Sequence, residues 1–283
     1  MKFGILLLLV TLSSSMGYPF ATATVVVTPP EQKHPLVDQH AAYFQQMPTT
    51  PIKQVSFSTS NSIAPYFFAD QPQGVQYDLL VAALKLEGMH IKEIVHAPNL
   101  RAQRLVQSKK VDCMINTPDN VQGLFYTQSL IEYQNSVFYL TKNKLAIHEI
   151  QDLNNVTVLG FQNAKQYLGE EFKALATDHA NYSEISNQKS QVVMLFNGHI
   201  QSVVLEQRIF EYYRHLLKDR LNTGVSVTEV PLFDPAERKI ACHDKNTAAA
   251  VNHAISSLKQ SYQYQEILSL AEQNNYQPTE HVN

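Results

Sequence analysis

From Ile52 onward the chain switches repeatedly between two hydrophobic periods. IKQVSFS alternates apolar and polar residues as a half-buried strand does, and Pro65, Pro72 and Gly74 punctuate the loop that follows. YDLLVAALKLEG then repeats Leu80, Ala83 and Leu84 at helical spacing, carries Asp78 in its first turn and stops at Gly88. HIKEIVHAP predicts a second strand ended by Pro98. LRAQRLVQSKK predicts a second helix with Leu100, Leu105 and Val106 on one side, and VDCMIN a third strand. Strands alternating with helices imply an α/β fold with a mainly parallel sheet and helices on both faces. Ligands of such sheets bind beyond the carboxyl ends of the strands. Here those places are Ser58 to Phe68, Ala97 to Arg101 and Asn116 to Gln122.

After Thr141 the pattern begins again. NVTVLGF is a strand, NAKQYLGEEFKALA a helix, QVVMLFNGH a helix with a glycine stop, IQSVVLE a strand, QRIFEYYRHLLKDRL a long helix and GVSVTEVPL a strand. RKIACH follows as a strand, and NTAAAVNHAISSLKQ and YQYQEILSLAEQN as helices whose apolar faces need a surface to cover. The first unit is the natural one. The expectation is therefore two lobes: 52–141 with 236–275 in the first and 142–235 in the second, the chain crossing between them twice.

Ahead of this lies MKFGILLLLVTLSSSMGYPFATA, with a basic residue, a short apolar stretch and a small-x-small pattern at Ala21-Thr22-Ala23. It is expected to act as an export signal over 1–23, cleaved to leave a periplasmic protein, with 24–51 as an irregular leader. The polar cluster Ser13 to Ser15 makes the apolar stretch too short for a membrane span. Removal of Lys2 leaves 21 basic against 25 acidic residues, a change of formal net charge from -3 to -4. That mild acidity argues against nucleic acid or an anionic membrane as a partner. Cys113 and Cys242, the two cysteines, permit one bridge in an oxidising compartment or two buried thiols.

GxSxG, a glycine-rich phosphate loop, HExxH and paired CxxC are all missing from the sequence, and the histidines are scattered. No catalytic residue, metal or cofactor is expected. Polar groups gathered after a buried strand at Asn116-Thr117-Pro118-Asp119-Asn120 either grip a small polar ligand or form a simple turn. Tyr66, in the aromatic run after the first strand, is a candidate wall. Arg101, just past Pro98, either forks onto an anion or is solvated or paired with Asp70 or Asp119. Glu206 ends SVVLE and either meets an ammonium group in the gap between lobes or serves the dipole of the next helix. The run from Val111 to Thr141 contains no Lys, Arg or His.

In order along the chain, APYFF, GVQYDLL, KKVDCMI, Thr117-Pro118-Asp119-Asn120, Phe125-Tyr126-Thr127, Gln151-Asp152-Leu153 and the segment from Asn197 to Glu206 resemble the landmarks of bacterial solute-binding proteins of the family 3 type. These are the polar amino-acid-binding components of ABC importers. The resemblance implies a monomeric two-lobed protein that closes on a small polar solute by a hinge and hands it to a membrane permease or receptor. It also implies ligand contacts from Ser60, Tyr66, Arg101, Asn116, Thr117, Asp119, Asn120, Gln162 and Glu206. In the family an arginine grips the ligand carboxylate, and Asn120 stands in its place here. Without that charge a carboxylate loses a contact of roughly 1.5 to 3 kcal/mol, so the ligand is expected to differ from a standard amino acid. A sensory protein of the same fold and a cyclohexadienyl-dehydratase-like enzyme are the alternatives. For the latter, the sequence shows nothing that raises the pKa of Glu206, Asp119 or Glu132.

Overall fold

The computed structural model describes residues 53–59, 63–68 and 71–272. The expected export signal, the leader and Ser60 lie outside these residues. Two five-stranded sheets form the two lobes. The first joins β1 (Lys53–Thr59), β2 (Met89–His96), β3 (Cys113–Ile115), β4 (Phe125–Tyr133) and β10 (Ala236–Cys242) in the order β2-β1-β3-β10-β4. The second joins β5 (Asn135–Leu140), β6 (Val158–Phe161), β7 (Tyr182–Ile185), β8 (Ser202–Glu206) and β9 (Val227–Val230) in the order β7-β6-β8-β5-β9. Each sheet is mixed. The βαβ strands run parallel, whereas β10 is antiparallel to β3 and β4, and β5 to β8 and β9.

β5 sits in the second sheet, so the chain crosses at Gln134, ahead of the boundary at 141 suggested by the sequence. The partners of β4 and β5 are the distant strands β10 and β8, and local patterning carries no trace of such pairings. The return crossing lies between β9 and β10. The two crossings are tied together: Gln134 Nε2 donates to the Phe233 carbonyl at 2.9 Å, and the Gln134 carbonyl accepts from Gln207 N at 2.8 Å.

Helices α1 (Val75–Leu86), α7 (Lys245–Lys259) and α8 (Tyr262–Glu272) pack on one face of the first sheet, and α2 (Asn99–Gln107) on the other. The inward residues of α2 are Ala102 and Val106, one turn apart, while Leu100 is 70% exposed and does not join them. On the second sheet α5 (Gln188–Phe196) and α6 (Gln207–Leu216) cover one face. The other face holds α3 (Ala164–Tyr167) and α4 (Glu170–Asp178), the single predicted helix split at Gly169, whose φ of 92° suits glycine. One apolar cluster runs from the α1 and α7 side of the first sheet to the α5 and α6 side of the second, so the lobes meet over buried surface.

Cys113 and Cys242 stand directly opposite one another on β3 and β10 and form a disulfide. The bond closes a separation of 129 residues and pins the returning strand into the first sheet. In the chain-entropy model such a loop is worth up to about 5 kcal/mol. Replacing both cysteines by alanine is expected to lower the unfolding free energy by about 2 to 5 kcal/mol in denaturant titration.

Candidate ligand-binding site

The loop from Ile63 to Phe68 is built onto the start of α1. The first amides of that helix lack intrahelical partners. Here Val75 N donates to the Pro65 carbonyl at 2.9 Å and Gln76 N to the Tyr66 carbonyl at 3.2 Å. Gly74 makes this contact possible: its φ is 130°, and a Cβ on it would strike the Tyr66 carbonyl. Tyr66 is thereby fixed with its side chain fully buried.

Its ring stacks on Tyr133, the last residue of β4, at a centroid distance of 4.0 Å. The Arg238 guanidinium lies 4.3 Å from the centre of the same Tyr133 ring. β10 pairs Ala236 with Tyr133 and Arg238 with Ile131, so Arg238 and Tyr133 are diagonal neighbours on one face of the sheet. The Tyr133 hydroxyl donates to Gln76 Oε1 at 3.0 Å. Gln76 and Asn116 exchange two amide hydrogen bonds, of 2.7 and 3.1 Å. Asn116 holds a left-handed φ of 55°, which asparagine tolerates better than most residues.

Glu206 enters from the second lobe. It ends β8 and caps α6, its Oε2 accepting from Ile209 N at 2.9 Å. The helix is seated by Phe210, which stacks on Phe138 of β5 at 4.0 Å. Glu206 is 3% exposed, and among the described residues its Oε1 makes no hydrogen bond, with Arg208 Nη1 at 3.9 Å. The Tyr66 hydroxyl, which faces Glu206, and Arg238 Nε are likewise buried without a well-formed hydrogen bond among the described residues. Burial pushes the Glu206 carboxyl up to about 7 despite the Ile209 amide, the Tyr66 hydroxyl and Arg208, which all favour its charge. Tyr66 is raised well above the ordinary tyrosine range, first by burial and then by the Glu206 charge. The lobes also touch through Arg208 Nη1, which donates to the Glu132 carbonyl at 3.4 Å, and through Phe68 edge-on to Tyr212.

Of the residues singled out by sequence, the structure brings together Tyr66, Asn116 and Glu206. Thr117 is buried and serves the turn, its hydroxyl donating to the Met114 carbonyl at 2.6 Å. Asp119 and Asn120 are exposed on that turn, Asp119 4.0 Å from Lys239. Arg101 is exposed because Ala102 and Val106 take the inner face of α2, and Gln162 is exposed in the turn after β6. Gln76, Tyr133, Arg208 and Arg238 had not been anticipated. Gln76 had left a signal: it occupies the apolar stripe of α1 with Leu79, Leu80 and Ala83, where a polar residue needs a reason. Arg208 and Arg238 supply positive charge to a region whose own segment, Val111 to Thr141, has none.

No family model matches the sequence, and no curated protein sequence is found as a relative. Solved structures do match. A histidine kinase sensor domain with similarity to periplasmic binding proteins superposes with a TM-score of 0.58 at 16% identity, covering 76% of this chain and 94% of its own. An amino acid ABC transporter substrate-binding protein from Streptococcus pneumoniae, bound to L-arginine, gives 0.56 at 15%, covering 80% and 97%. An ancestral amino-acid-binding protein, a precursor of cyclohexadienyl dehydratase, gives 0.56 at 16%, covering 83% and 98%. These likenesses establish the two-lobed periplasmic-binding-protein fold.

The raised Glu206 pKa has a stability consequence. Between about 4.5 and about 7 the folded protein holds this proton and the unfolded chain does not, so stability falls as pH rises through that window. The loss attributable to Glu206 is about 3 kcal/mol, absent below 4.5 and complete above 7. Glu206→Gln is expected to remove this component, so the stability difference between variant and wild type should shift in the variant's favour across the window in thermal or chemical unfolding.

Proposed function

We propose that this chain is a divergent family 3 solute-binding protein, exported to the periplasm, that encloses a small polar ligand between its lobes and delivers it to a membrane permease. The observation that carries this reading is the buried Glu206 carboxylate at the meeting of the lobes. Its Oε1 has Arg208 Nη1 at 3.9 Å and the Tyr66 hydroxyl facing it from the other lobe, yet neither that oxygen nor that hydroxyl makes a well-formed hydrogen bond among the described residues. Leaving such groups unsatisfied costs about 1 to 3 kcal/mol each, and a ligand with donors offsets that cost in the closed state alone. Glu206 receives an ammonium or amine. Asn120, exposed on its turn, does not replace an arginine there, so the ligand is not an α-amino acid held in the family's usual way.

A thermal-shift screen tests this. Primary amines and small peptides should raise the melting temperature, ordinary L-amino acids should not, and Glu206→Gln should weaken binding at least tenfold, the size of a lost charge-assisted hydrogen bond of about 1.5 kcal/mol or more. Because an arriving cation favours ionised Glu206, affinity should climb as pH rises through about 7. Strong stabilisation by ordinary L-amino acids would overturn the ligand assignment.

Two neighbours define other partners or activities. The sensor-domain likeness allows the closed form to address a receptor in place of a permease. The raised pKa of Glu206 also supplies the poised acid that a dehydratase would need, a feature the sequence did not reveal. Turnover of prephenate or arogenate by the purified protein, abolished in Glu206→Gln, would establish the enzymatic reading.

A further inference from the structure

The cationic anchor missing from the Asn116–Asn120 turn has a substitute on the returning strand. Arg238 lies against one face of Tyr133 at 4.3 Å while Tyr66 lies 4.0 Å from the same ring. Two groups that close to one ring must take opposite faces. Stacking occupies only the flat side of a guanidinium, and its N–H donors point outward in the plane. Arg238 Nε is buried with no acceptor, and among the described residues no acid is paired with this arginine. A half-buried guanidinium held over an aromatic ring, with its Nε–H enclosed and lacking an acceptor among the described residues, suits a carboxylate.

We propose that Arg238 holds the anionic end of the ligand whose cationic end meets Glu206, so that the site selects an extended zwitterion over an α-amino acid. This rests on the binding function proposed above. The selection follows from spacing. With Arg238 and Tyr66 on opposite faces of Tyr133, 4.3 Å and 4.0 Å from its centre, the thickness of the stacked pair, about 8 Å, separates the guanidinium from the ring whose hydroxyl faces Glu206, so the two anchors stand well apart. An α-amino acid, with charges only about 3 Å apart, reaches one anchor and not both. An ω-amino acid of six carbons spans about 8 Å when extended, as a short peptide does between its termini. The ligand then runs along the edges of the Tyr66–Tyr133 pair, with the Gln76–Asn116 amides at the hydroxyl end of Tyr133. Since Tyr66 and Tyr133 are 0% and 6% exposed, it enters only when the lobes part.

Isothermal titration of the purified protein with 6-aminohexanoate, hexylamine and L-alanine tests the assignment in wild type, Arg238→Gln and Arg238→Lys. Wild type should bind 6-aminohexanoate at least tenfold more tightly than either other probe. Arg238→Gln should bring 6-aminohexanoate down to the affinity of hexylamine and leave hexylamine unchanged. Arg238→Lys, which keeps the charge but not the fork, should fall between. The proposal fails if Arg238→Gln weakens both amines by the same factor, which would mean that Arg238 only supports the Tyr133 ring. It fails equally if 6-aminohexanoate is indifferent to the substitution, or if L-alanine binds wild type best. In each of those cases hexylamine binding leaves the Glu206 site standing, whereas no binding of any probe to wild type would remove that site together with this inference. Arg238→Lys carries the comparison if Arg238→Gln does not fold.

Discussion

A carboxylate enclosed between two lobes is the constraint around which this molecule is arranged. Glu206 is nearly free of solvent, one oxygen fixed by a helix amide and the other left open, and its environment resists its charge. A group in this condition is tolerated where something else gains from it. Three elements converge on this side chain. α6 begins there, β8 ends there, and the Tyr66 loop is clamped to α1 so that a phenol faces it from the other lobe.

The scaffold that brings the lobes together is economical. The chain passes between sheets at Gln134 and again after β9, and one glutamine side chain ties the two passages. The disulfide anchors the second passage to the first sheet, so the returning strand enters a cross-linked lobe. Aromatic and cationic groups then accumulate at the junction: Tyr133 at the end of the outgoing strand, Arg238 at the start of the returning one and Arg208 in the first turn of α6.

The two-lobed α/β architecture was legible because its helices and parallel strands are local, periodic and separated by Gly and Pro. The crossing at Gln134 was not, because β4 and β5 are strands only by virtue of partners about a hundred residues or more away in one case and dozens in the other. That Tyr66, Asn116 and Glu206 come together was legible because each lies at or just past a strand end, where the loops of such a sheet converge. Arg101 takes the solvated alternative in this structure: proximity to a strand end does not fix which way a helical residue turns, and Ala102 and Val106 claim the inner face. Arg238 escaped notice because its role depends on strand pairing with β4, which no short motif encodes.

The division of labour within Glu206 itself has a further consequence. Its Oε2 holds the first turn of α6 while the same carboxyl meets the Tyr66 hydroxyl of the opposite lobe, so a single side chain is at once a structural cap and a point of contact between lobes. A residue too short to bring an acceptor to the Ile209 amide would loosen the helix start whatever else it changed, so the length of this side chain is constrained independently of its charge.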